Sequence, residues 1–401
     1  MLKKIIAFAR REAVFTAAFV AAAISAVFVP PSADYAEYFN MRVLFILFSL
    51  MTVVSGFQTC QVFTAGAEFL CRKMKNFRST ALALTVSCFF LSMFITNDVA
   101  LITFVPFTLI IIKKLKAYRQ AAFLTVLETI AANLGSMLTP LGNPQNLFLY
   151  TQMDISAIGF IRILLPYTAF SLLVLVLLTF FIPKTQIDFD GTDHSNPANS
   201  TEESDKPHKH KANKKEKIFA CTILFCLCLL CVFRLIPAHF LAFIIFVSVF
   251  ATDRQILLKV DYMLLLTFCA FFIFTGNIGK IESIKTFLQT IVKGNEFISG
   301  ILASQVISNV PAALLLEPFC ESHEKLLLGV NIGGLGTLVA SLASLISYKI
   351  YKNPENAELT QKCGKNYMAV FTFLNILCLA LLCILYILLN ILKVSGIFGA
   401  V

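Results

Sequence analysis

The chain has 401 residues, of which 58% are apolar, and a formal charge of +10. Its strongly positive mean hydropathy excludes a soluble globular domain, and its basic residues fall in short clusters between apolar runs, which excludes a nucleic-acid-binding stripe. Twelve cysteines, mostly inside those runs, have neither metal nor disulfide spacing and read as small packing residues.

In chain order, the sequence predicts an all-α polytopic membrane protein. Apolar runs suited to a ~30 Å hydrocarbon core are expected to cross at 13–30, 42–62, 121–150, 158–182, 218–234, 237–252, 261–279, 325–350 and 368–393. The first is not expected to be a cleaved signal, because Pro30-Pro31-Ser32 follows it without a small-x-small site. Segments 79–112 and 296–319 carry polar tips, Thr96-Asn97-Asp98 and Ser308-Asn309, and read as re-entrant hairpins. The charged stretch at 183–217 reads as a flexible cytoplasmic linker. Its His208-x-His210 lacks partner ligands, so no metal site is expected. The domains are then 1–182, a first repeat; 183–217, the linker; 218–235, a connecting helix; and 236–401, a second repeat.

Charge supports this parse. With a cytoplasmic N-terminus, alternating at crossings but not at hairpins places most of the 33 Lys and Arg inside. The C-terminus then lies on the outer side of the cytoplasmic membrane.

The two halves repeat. Ile95–Phe107 lays without gaps on Ile307–Phe319, and Asn133–Thr139 on Asn331–Thr337. An odd number of crossings separates them, so the second half is expected to be inverted, with the site where the breaks meet.

The breaks carry the chemistry. Between Leu138 and Leu147, Pro140 and Pro144 remove ladder donors, Gly142 permits a tight turn, and Asn143-Pro144 reads as an N-cap and first turn of a new helix. Helix ends restarting at mid-depth aim N–H groups and positive dipole ends inward, which suits a small anion. Val339–Ser344 lacks those prolines and asparagines, so the second break is expected to be milder. Capping alone would also account for Thr96, Asn97, Ser308 and Asn309, and helix packing for Gly135, Gly333 and Gly334. Two acids lie in apolar surroundings. Asp98 would either bind a coupling ion or proton, or cap a helix beginning at Val99. Glu128 lies only ~13 Å along its helix from Arg119.

The motifs TNDVALITFVPF, ANLGSMLTPLGNPQN, SNVPAALL and NIGGLGTL resemble the ion transporter superfamily. Within it they are similar to citrate transporter-like and anion permease proteins, relatives of the divalent anion/sodium symporters and arsenite permeases. The resemblance implies a homodimer with an elevator-type transport part. It also implies a Ser-Asn-Thr-type tip contacting carboxylates and sodium, carried over to Thr96, Asn97, Ser308 and Asn309. Asp98 and Val310 replace the third residue, and an Asn-Asp tip looks more like the arsenite permeases.

The candidate substrate set is therefore Thr96, Asn97, Thr139, Pro140, Gly142, Asn143, Ser308, Asn309, Gly333, Gly334 and Thr337. Ion or proton coupling is assigned to Asp98, Glu128, Asn133, Ser136, Asn146 and Asn331. The expected function is secondary transport of a small anion, a di- or tricarboxylate such as citrate, coupled to sodium or protons. The alternatives are arsenite/antimonite-type efflux and sodium/proton antiport. Apart from sodium or a proton no cofactor is expected, and the partners are the solute and the bilayer, with no nucleic acid. A membrane enzyme would need a nucleophile–base set or metal ligands in the spans; His239 and His323 lie only toward the outer surface.

Overall fold

The computed structural model describes Phe8 and residues 12–186, 207–364 and 366–394. Among them the chain is helical, and the extended pairing is a single isolated bridge between Asn76 and Gln186.

The first half runs α1 (Ala13–Phe28), α2 (Met41–Thr59), α3 (Val62–Arg72), α4 (Phe77–Ile95), α5 (Asn97–Lys114), α6 (Ala121–Ser136), α7 (Pro144–Gln152) and α8 (Ala157–Thr179). Then α9 (Pro207–Val232) leads into α10 (Ala238–Asp253), α11 (Tyr262–Lys280), α12 (Glu282–Val292), α13 (Glu296–Ile307) and α14 (Asn309–Leu316). The chain closes with α15 (His323–Ile332), α16 (Leu342–Tyr351), α17 (Ala357–Cys363) and α18 (Tyr367–Val394).

Capping residues start several of these where the apolar runs begin. The side-chain oxygens of Asn40, Asn76, Ser156 and Asp261 accept the backbone N–H of Val43, Ser79, Gly159 and Leu264, at 3.2, 3.0, 3.1 and 3.0 Å. Of the described helices, α2, α4, α8, α11 and α18 are long and apolar enough to cross a membrane individually. Many large apolar side chains face outward, Phe181, Phe243 and Phe373 among them, as a lipid-facing surface allows.

The halves follow one order: a long helix, a short amphipathic one, a helical hairpin, a broken helix and a long closing helix. The short helices α3 and α12 were not foreseen, because runs of 11 residues with mixed polarity do not look like spans. Two other boundaries differ from the sequence reading. Helix α9 begins at Pro207, so 207–217 continue the connecting helix rather than the linker, and 187–206 lie outside the described residues. The second break is also not mild. Residues 333–341 are non-helical, against 137–143 in the first. Glycines 333, 334 and 336 end α15 where prolines act in the first half, and Gly336 takes φ +111°, a conformation that favours glycine.

Helices α6 and α15 form the inner layer, α6 being buried at every residue except Phe123. Each is clasped by the first arm of its own hairpin, at a glycine. A Cβ on Gly135 would stand 2.1 Å from the Phe89 carbonyl oxygen, and one on Gly329 2.4 Å from that of Phe297. Small residues let these backbones approach closely. Although α4 has the length to cross, it ends at Ile95 against the α6–α7 break, where Asn97 N–H donates to the Gly142 carbonyl at 3.2 Å.

Candidate functional site

Each hairpin turns on one residue with positive φ. Thr96 has φ 74° and ψ 150°, and Ser308 has φ 75° and ψ 155°. Backbone of this kind is almost confined to glycine and costs roughly 1–3 kcal/mol when another residue adopts it. The strain frees the next residue to begin a helix and bond the break beside it.

That bonding is the same in both halves. Asn97 N–H donates to Gly142 O, and Asn309 N–H to Ala340 O at 2.9 Å. The Asn97 side-chain oxygen accepts Asp98 N–H at 3.0 Å, and that of Asn309 accepts Val310 N–H at 2.9 Å. The Thr139 hydroxyl donates to Met93 O in the first arm and accepts Gly142 N–H. Its counterpart, Thr337, donates to Gln305 O at 2.9 Å and accepts Ala340 N–H at 3.2 Å.

Two asparagines then cross between the halves. Asn133 of α6 accepts from the Asn97 side chain at 3.0 Å and from the Ser341 hydroxyl at 2.9 Å, and donates to Ser344 at 3.4 Å. Asn331 of α15 does the converse, accepting from Asn143 at 3.2 Å and donating to Asn146 at 2.6 Å. Each broken helix thus holds the restart of the other half's broken helix. Helices α5, α7, α14 and α16 all begin at this junction, with their N–H ends directed into it.

Within the junction, Asn143 caps α7 by accepting Asn146 N–H at 2.9 Å, and also donates to Ser136 at 3.3 Å. Buried Pro140 lies in the turn that Gly142 closes, where a Cβ would meet Ser136 O at 2.0 Å. A Cβ on Gly334 would stand 3.0 Å from the Asn309 amide nitrogen, and one on Gly333 2.8 Å from Ile301 Cα.

The two acids part company. Asp98 is half-buried in the first turn of α5, and its carboxylate has no hydrogen-bond or ion-pair partner among the described residues. The capping alternative for Asp98 does not hold, because α5 starts at Asn97 and the Asn97 side chain takes the Asp98 N–H. Glu128 lies outside the asparagine junction, fully buried, with one oxygen bonded by the Thr108 hydroxyl and the other unpartnered.

Sequence reasoning missed Gln305, Ser341 and Ser344. The serines align with Asn143 and Asn146, a signal present in the repeat. Gln305 stands three residues before its tip, a polar side chain in an apolar arm. Its amide donates to Gly333 O at 2.8 Å and Leu335 O at 2.9 Å, and accepts Thr337 N–H at 2.9 Å. Among the described residues no three His, Cys, Asp or Glu side chains converge as a metal site, and the side chains of His208 and His210 lie outside them.

The sequence pattern of a citrate transporter family matches residues 5–326. An uncharacterized transporter of Methanocaldococcus jannaschii is 34% identical over 305 residues, spanning 75% of this chain and 78% of its own. Inner membrane protein YbiR of Escherichia coli is 30% identical over 310 residues, spanning 76% and 78%. A 46 kDa membrane protein of Mycobacterium leprae is 23% identical over 339 residues, spanning 75% and 76%.

Proposed function

The chain belongs to the citrate transporter family and is a membrane-embedded transporter, and from that premise we propose that it carries a small carboxylate anion across the cytoplasmic membrane, coupled to sodium or protons. The observation that carries this reading is the junction itself, where four helices begin and Asn133 and Asn331 join the two halves. Positive helix ends and amide donors suit carboxylates. Substrate would lie against the hairpin tips, Thr96-Asn97 and Ser308-Asn309. Repetition of the tip hydrogen bonds supports reading the halves as inverted repeats, with the N-terminus inside and the C-terminus outside. An elevator motion of hairpins and broken helices against the remaining helices, in a homodimer, completes the proposal.

Asp98 is the coupling group in this scheme. An unpaired carboxylate at the junction calls for a cation or a proton, and a single cation would neutralise it. Glu128 lacks any bond to the junction and is left out of the coupling step. The same Asn-Asp tip gives a second reading, cation/proton exchange or arsenite efflux.

Thermal unfolding of the purified chain with citrate, succinate, sulfate, arsenite or sodium separates these readings. Citrate or succinate at ~100 times its dissociation constant should add about 2.7 kcal/mol, with a dependence on sodium or pH. Stabilisation by arsenite or sodium alone, with no carboxylate effect, would overturn the carboxylate reading.

A further inference from the structure

The hairpin of α4 and α5, hairpin 1, is strapped at its base by the chain leaving α8. Phe77 N–H donates to Thr185 O at 2.8 Å, Arg78 Nε donates to Ile182 O at 2.7 Å, and Asn76 bridges Gln186. These contacts bring Lys184 beside the turn that carries Lys73 and Lys75, although about a hundred residues separate them along the chain. Lys73, Lys75 and Lys184 are exposed, and neither they nor Arg78 has a carboxylate partner among the described residues. Phenylalanines border the cations. The Lys73 ammonium lies 4.4 Å from the ring centre of Phe69, and the Arg78 guanidinium 5.7 Å from that of Phe180. Both rings are exposed, as is neighbouring Phe181.

Helix α3 supplies the level at which this seam sits. It is too short to span, and its Phe69 and Leu70 are exposed, as in a helix lying in a membrane interface. An exposed aromatic edge beneath unpaired cations matches a lipid whose acyl chains meet the rings and whose phosphate meets the lysines. The counterpart helix α12 is also amphipathic and exposes Phe287, but its Lys285 is paired with Glu282 at 3.4 Å. Surplus positive charge therefore marks the α3 seam and not its counterpart.

We propose that Lys73, Lys75, Arg78 and Lys184 form a binding site for the headgroup of an anionic phospholipid at the base of hairpin 1. The site is separate from the asparagine junction, and its occupancy does not depend on which solute is carried.

The test uses the full chain in phosphatidylcholine vesicles, with and without phosphatidylglycerol, and reads thermal unfolding. Phosphatidylglycerol should raise the unfolding temperature of the wild type, and added salt should diminish that rise. In the triple variant Lys73→Gln, Lys75→Gln, Lys184→Gln the apparent phosphatidylglycerol affinity should fall by roughly tenfold or more, since each cation near an anionic surface contributes a factor of about five. The matching triple Lys→Arg variant should keep the rise. Arg78 is left unchanged because it holds Ile182. No rise in the wild type, or an equal rise in the glutamine triple, would overturn the proposal.

Discussion

The two breaks solve one problem with different side chains. In the first, Asn143 does three things: its oxygen caps α7, and its amide reaches both Ser136 and Asn331. In the second, Ser341 stands at the matching place with a single hydroxyl hydrogen, gives it to Asn133, and leaves α16 without a side-chain cap. The freed carbonyls differ in the same way. Asn146, from the restarted helix, donates to Ser136 O, Met137 O and Thr139 O, at 3.4, 2.9 and 3.0 Å. In the second half, where Ser344 is too short for that, Gln305 reaches across from the hairpin to Gly333 O and Leu335 O. Buried backbone groups must be satisfied, but the sequence can satisfy them from either side of the break.

The first break should accordingly depend on its own asparagine and the second on the hairpin. Asn146→Leu removes the donor to three backbone oxygens and the acceptor of Asn331, all at a fully buried position. It should destabilise the protein by about 3 kcal/mol or more. Gln305→Leu should cost about 2 kcal/mol, because it is half-buried beside exposed Thr337 and water can take over part of its bonds. Thermal unfolding of purified variants measures both, and equal losses, or a larger loss for Gln305, would break the comparison.

The hairpin tips give a smaller effect of opposite sign. Thr96→Gly relieves the strained φ and should raise stability by about 1 kcal/mol, net of the added freedom of the unfolded chain. Ser308→Gly should gain less, since it forfeits the weak hydroxyl bonds to Asn309 and Ala340, at 3.4 and 3.5 Å. Both variants should transport more slowly if the strained tips present the substrate contacts. A drop in the unfolding temperature of Thr96→Gly would show that the tip is unstrained.

Much of this was legible in the sequence because the bilayer makes polar interruptions rare. Each apolar window contains a helix or helix pair, and the residues on which the halves align, Asn97 with Asn309 and Asn133 with Asn331, occupy matching positions at the junction. The rest was hidden by chemistry that has no distinctive signature. Val339–Ser344 lacks the asparagines of the first break, and a serine hydroxyl is a weaker sign of a site, so Ser341 and Ser344 do not stand among the candidate residues. The second break looked mild because proline was taken as the signal for a break, whereas glycine ends α15. The pattern shared with the family also stops at residue 326, before that break begins. A cap at Asp98 would start α5 at Val99, whereas the strained Thr96 starts it at Asn97.

The sharpest asymmetry between the halves is one charge, since Val310 stands where the first tip has Asp98. Placing coupling in the first half alone is therefore the claim most open to test. Asp98→Asn keeps the shape of the side chain and removes the charge, and because Asp98 caps no helix, a lost cap cannot account for the result. In proteoliposomes, uptake of the carboxylate identified by thermal shift should lose its dependence on sodium or on pH in this variant, while substrate still stabilises the protein. Uptake that proceeds with the wild-type dependence on sodium and on pH would contradict the assignment of coupling to Asp98.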